Sequence, residues 1–196
     1  MNPDLTYISG NVSYPRFCGK GGFSQNSPYS MSSDLLSTRC LILACGNTLR
    51  GDDGVGPWLA EWAEDRFFGE LDVRVISRQQ WTPELAEDIA AAESVIFVDC
   101  CTATRAGSID LRPIAAAAST SPGTHQLGGP ELLALAGELY GSRPREAFLL
   151  TVGAGSTALG EEFSGAVQSA VPEAAALLGK TVRRLLATAT EQLVPQ

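Results

Sequence analysis

The sequence predicts an α/β sandwich with a mostly parallel sheet, on two observations. First, short unbroken apolar runs such as 40–45 (CLILAC) and 95–98 (VIFV) alternate with stretches of helical apolar spacing. A strand covered on both faces reads as such a run, and regular strand–helix alternation is the mark of a parallel sheet with crossover helices. Second, these runs end at turn or acidic residues, Gly46-Asn47 after the first and Asp99 after the second. In parallel sheets ligands sit just outside the carboxyl ends of the strands, so those ends are where chemistry is expected.

The elements follow in order. Residues 1–38 are rich in Ser, Gly, Tyr, Asn and Pro without apolar periodicity, and read as a flexible or loosely docked extension before a domain over 39–192. The first strand is 40–45. Val55, Trp58, Leu59, Trp62 and Phe67 then recur at helical spacing, which predicts a helix over 54–68 with one apolar face. Alternation over 71–76 gives a second strand. Thr82-Pro83-Glu84 has the form of a helix start, with Thr as N-cap, Pro at the first position and an acid in the first turn. That helix carries Leu85 and Ile89 inward and ends before Ser94. The buried strand 95–98 terminates at Asp99, and 108–112 alternates like an edge strand. A loop over 113–128 leads to a helix opened by Pro130 that turns Leu132, Leu133, Leu135 and Ala136 inward. A last strand spans 147–152. The stretch 164–190 is helical, with Pro172 as a break or a second start.

Composition narrows the function. Hydrophobic residues are 44% of 196, enough for a sizeable core, and the formal net charge is −8 with no Lys/Arg stripe, so a nucleic-acid or anionic-membrane surface is not expected. No apolar run approaches the ~20 residues that cross a bilayer, and the amino terminus lacks a basic start followed by an apolar core. Five cysteines in an odd, uneven set without CxxC fit a reduced, cytoplasmic setting. A monomer is expected, since no heptad or dimer patch is legible.

Three polar positions stand at strand ends. In Gly46-Asn-Thr-Leu-Arg-Gly-Asp-Asp-Gly-Val-Gly56 two adjacent carboxylates open a helix. Asp52 or Asp53 is read as a helix N-cap, Asp52 first; two acids exceed what a cap requires, leaving one of them for other work. Neither GxGxxG in register nor a phosphate-binding lysine is present, so this is not a nucleotide loop. Asp99 closes a buried strand, where a carboxylate is costly unless hydrogen-bonded, paired or metal-bound; satisfying the 100–104 turn is the plain alternative. His125, the one histidine, excludes three-histidine and HExxH zinc sites. Two aspartates and a histidine on three strand-end loops can form an oxygen/nitrogen metal triad with open positions, although each residue alone also has a structural reading.

GNTLRGDDGVGP after the first strand, VDC after the third, THQLGGPELLALA and SGAVQSAVPEA occur in this order over roughly 40–190. The set resembles the [NiFe]-hydrogenase maturation endopeptidases. That resemblance implies a three-layer sandwich with a twisted central sheet, like the phosphorylase/hydrolase architecture. It further implies an endopeptidase that removes the C-terminal extension of the hydrogenase large-subunit precursor after nickel insertion. The metal-contacting positions of the family fall on Asp53, Asp99 and His125, with nickel carried by the substrate and Asp53 or Asp99 in the catalytic role. Asp53 is the expected base. Cys100-Cys101 departs from the small residues expected after Asp99; core packing is the expected role, competition for metal the alternative. A non-proteolytic nickel checkpoint or chaperone for the loaded large subunit uses the same residues and is the second functional reading.

Overall fold

The computed structural model of the chain describes residues 38–117, 127–160 and 162–191, the last three of these by backbone alone. Five strands, β1 (Thr38–Cys45), β2 (Val73–Arg78), β3 (Ala92–Cys101), β4 (Ile109–Pro113) and β5 (Glu146–Gly153), form one sheet in the order β2-β1-β3-β5-β4. The first four in that order run parallel; β4 pairs antiparallel with β5 at the edge. Helices α1 (Val55–Arg66) and α4 (Gly165–Glu191) cover one face, α2 (Leu85–Ala90) and α3 (Gly129–Tyr140) the other. This is the α/β sandwich that the alternation of elements predicts, with the three layers that the resemblance implies.

The strands explain the unbroken apolar runs. β1 turns Cys40, Ile42 and Ala44 into the α1/α4 side and Leu41 and Leu43 into the α2/α3 side, all five buried. β3 repeats the pattern with Ile96 and Val98 against Val95 and Phe97. Burying a Val, Leu, Ile or Phe side chain is worth ~1.5–3 kcal/mol, so these two central strands hold the layers together and leave their carboxyl ends rigid.

Several boundaries and roles differ from expectation. β2 begins at Val73, because Leu71 points into solvent at 97% exposure. Trp58 is exposed at 38%, so α1 buries Val55, Leu59 and Ala63 instead. Thr82 does not cap α2, which starts at Leu85: its hydroxyl bonds the Glu84 carboxylate, while its carbonyl accepts the Leu85 N–H in a tighter preceding turn. Pro172 neither breaks nor starts a helix; α4 runs through it. The physical reason lies in its facing. Pro172 and Gln168, whose carbonyl loses its N–H partner, are exposed, so that carbonyl is open to hydration by solvent. Val167, Ala170, Val171, Ala174, Ala175 and Leu178, on both sides of the proline, remain packed in the core.

The sheet order creates a crevice. From β1 the chain moves laterally to β2; from β3 it moves the opposite way, to β4 and β5. The carboxyl ends of β1 and β3 therefore flank a topological switch point, where sheets of this class place ligands. β3 also outlasts β1. Its last partner in β1 is Ala44, opposite Val98, whereas β5 follows it through Cys101, opposite Gly153. The expected strand end at Asp99 is thus corrected: Asp99, Cys100 and Cys101 belong to β3 and stand past its last pairing with β1, at Ala44–Val98.

Candidate active site

The loop after β1 folds back over this crevice because of two glycines. Gly46 has φ +144°, a conformation open to glycine, and a Cβ there would collide with the Asp53 carbonyl oxygen. At Gly56 a Cβ would collide with the Cys45 carbonyl oxygen, so the first turn of α1 lies directly against the end of β1. Between them a single tight helical turn, Gly51–Gly54, carries the acidic pair, and neither aspartate side chain caps the turn or α1.

Asp52 is not a helix cap. Its carboxylate is fully buried and accepts four hydrogen bonds from the far side of the chain: Gly155 N–H (2.6 Å), Ser156 N–H (2.9 Å) and Ser164 Oγ–H (2.8 Å) on Oδ2, and Ser164 N–H (2.7 Å) on Oδ1. Burial acts to raise its pKa, but these donors outweigh it and hold the carboxyl below the ordinary 3.8. One acid thereby pins the loop after β1 to the loop after β5 and the start of α4. The same seam continues with Gly51 N–H to Gly160 O (2.6 Å) and Arg50 Nε–H to Thr157 O (3.2 Å).

Asp53 points the other way, into the crevice. Oδ2 accepts the Asn47 N–H at 3.0 Å, and Oδ1 accepts the Cys100 thiol at 3.3 Å. Asp99 takes the Cys100 N–H on Oδ1 at 2.8 Å. Neither carboxylate forms an ion pair with a described Lys or Arg. Burial, with the Asp53 charge beside it, pushes Asp99 up to about 6 against the favourable Cys100 amide bond. Cys45, at the end of β1, is pushed up to about 12 by burial and then by Asp99 and Asp53; the Cys100 thiol is pushed up as well, by burial first and its bond to Asp53 next. The three-residue set of Asp53, Asp99 and Cys100 brings one donor atom from each to within 4.8 Å of the others.

These groups line a cleft of about 580 Å³. Its walls include Arg50 and Thr157 from the Asp52 seam, and Gln79, Gln80 and Trp81 after β2. Trp81 stands edge-on to Phe97 with ring centroids 5.3 Å apart, and its buried Nε1–H has no partner among the described residues. Leu127 and Gly128 also line the cleft; His125 lies outside the described residues. Two of the three expected site residues, Asp53 and Asp99, are therefore brought together. Cys45 and Trp81 were not anticipated at the site, and Cys100 was expected there only as the alternative to core packing. Cys100 does pack against the core, as expected, yet its sulfur also reaches Asp53. The strand-end rule would have flagged Cys45, since it sits at the end of β1.

Two carboxylates this close, one of them with its pKa pushed up to about 6 by burial, can divide general-base and general-acid work or present oxygens to a cation.

No family model and no curated protein matches the chain. Among solved structures it is similar to a [NiFe] hydrogenase maturation protease HycI from Thermococcus kodakarensis, at 28% identity over 76% of this chain and 97% of that one, with a TM-score of 0.58. It is also similar to the hydrogenase maturating endopeptidase HybD from E. coli (22% identity, 74% and 93% covered, TM-score 0.64). A hydrogenase 2 maturation peptidase from a Thaumarchaeota archaeon has the same fold (24% identity, 74% and 97% covered, TM-score 0.55). In fold, and over nearly the whole length of these solved structures, the chain is similar to hydrogenase maturation endopeptidases.

Proposed function

We propose that this protein is an endopeptidase that removes the C-terminal extension of a [NiFe]-hydrogenase large-subunit precursor after nickel has been inserted. The observation that carries the reading is the convergence of Asp53 and Asp99, from two different strand ends, on one open cleft at the switch point. The similarity to maturation proteases of that name supports it.

In this reading the precursor brings its nickel to the cleft, where Asp53, Asp99 and His125 meet it. That contact makes loaded precursor the preferred substrate, because it adds binding energy and sets the scissile bond beside the carboxylates. Nickel so placed supplies a positive charge that polarises the scissile carbonyl. The residues of the chain do the rest. Asp53 is held by the Asn47 amide and the Cys100 thiol, so its carboxylate is aimed before substrate arrives, and it takes the proton of the attacking water. Asp99, whose carboxyl is pushed up to about 6, is the group suited to return a proton to the leaving nitrogen.

The test is incubation of purified protein with nickel-loaded and nickel-free precursor, following the mass of the precursor's carboxyl terminus. The tail is expected to be lost from the loaded form only. Asp53→Asn, Asp99→Asn and His125→Ala should each slow the cut by ~100-fold or more, the usual worth of a positioned acid or base. Wild type that binds loaded precursor without shortening it would overturn the peptidase reading in favour of a nickel-dependent checkpoint.

A further inference from the structure

We propose that Cys100 is a metal ligand, so that Asp53, Asp99 and Cys100 together bind a thiophilic divalent cation. This goes beyond the nickel-docking triad: it adds a sulfur donor, and it predicts binding of a free cation that needs no precursor.

The geometry is that of donors awaiting a common ion. Ligands held at about 2.0–2.3 Å from one cation lie some 3–4 Å from each other, and Cys100 Sγ already stands 3.3 Å from Asp53 Oδ1. The third donor, on Asp99, lies within the same 4.8 Å span. Each donor comes from a rigid support: Asp53 from the turn locked down by its neighbour Asp52, Asp99 and Cys100 from the β5-paired end of β3. Asp99 and Cys100 are adjacent in that strand, so their side chains leave opposite faces, and they can share an ion only because β3 overruns β1 and both reach the open cleft.

Charge argues the same way. Two carboxylates face each other with no ion pair to a described Lys or Arg, and Arg50, the one arginine among the described residues lining the cleft, gives its Nε–H to the Thr157 carbonyl. A second thiol, Cys45, lines the same wall. Binding balances simply: the cation displaces the Cys100 thiol proton to solvent, and two carboxylates with one thiolate then enclose the double positive charge. A set with a sulfur donor selects Ni²⁺, Zn²⁺, Co²⁺ or Cd²⁺ over Mg²⁺ and Ca²⁺.

The experiment is titration of the purified full chain with Co²⁺ and Cd²⁺, reading sulfur-to-metal charge-transfer absorption and, by calorimetry, affinity. Wild type should develop the band to one equivalent, undisturbed by excess Mg²⁺. Cys100→Ser, which keeps a hydrogen-bond donor to Asp53, should lose the band and bind at least about tenfold more weakly; Asp99→Asn should weaken binding comparably. Cys101→Ser should leave both readouts unchanged. A band that survives Cys100→Ser, a band lost only in Cys45→Ser, or absence of cation binding by wild type would each overturn the assignment. Precursor cleavage measured in parallel separates the two proposals: a protein that shows the band but never cuts loaded precursor fails as a peptidase while Cys100 stands as a ligand.

Discussion

Replacing Asp52 by Asn tests the claim that one acid of the pair is structural. The carboxylate accepts three bonds on Oδ2 and one on Oδ1. An asparagine with its amide oxygen at the Oδ2 position keeps the first three, but they fall from charge-assisted to neutral strength, a loss of about 1 kcal/mol each. Its NH₂ then faces the Ser164 N–H, leaving buried donors unsatisfied at about 1–3 kcal/mol. Relief of the buried charge returns part of this, so the net cost is about 3–5 kcal/mol, a large share of the ~5–15 kcal/mol that holds a domain together. Urea unfolding at pH 7 measures it. The sign of the pH dependence gives a second check. Because the folded pKa of Asp52 lies below 3.8, its contribution is fully present above that value and is lost as pH falls through the folded pKa. The difference between wild type and Asp52→Asn should therefore shrink on acidification. A cost below about 1 kcal/mol at pH 7, or a difference independent of pH, would refute the reasoning.

Two further predictions rest on the same loop and strand end. Asp99 has the opposite sign: its folded pKa of about 6 exceeds 3.8, so its ionisation costs stability as pH rises through 4–6, by about 3 kcal/mol at the upper bound. Asp99→Asn should therefore be more stable than wild type at pH 8 in metal-free buffer while cutting no precursor, and equal stability at pH 8 would contradict the burial argument. Gly46→Ala should destabilise by at least about 1–3 kcal/mol, from strain at positive φ and the clash with the Asp53 carbonyl. It should also weaken Co²⁺ binding by displacing Asp53, and a variant as stable as wild type with unchanged binding would remove the role given to this glycine.

The sequence by itself determined the layer architecture, because apolar run and helical spacing are local consequences of which faces must be buried. CLILAC and VIFV admit little besides strands covered on both sides, and the position of GNTLRGDDG after the first of them brings two acids to a strand end. What local spacing could not decide was which acid faces which way. Asp52 and Asp53 are chemically identical neighbours, and only the approach of Gly155, Ser156 and Ser164, more than 100 residues away in the chain, makes one a buried tie and leaves the other in the cleft. The same holds for Cys100, whose sulfur meets Asp53 because β3 outlasts β1, a matter of register between strands. Pro172 shows the limit in the other direction: local propensity forbids a proline in mid-helix, and burial of the residues around it on the core face overrides that preference. Periodicity along the chain reports which side of an element is buried. Which atoms meet across elements depends on register and on contacts distant in sequence, and those exist only in the folded chain.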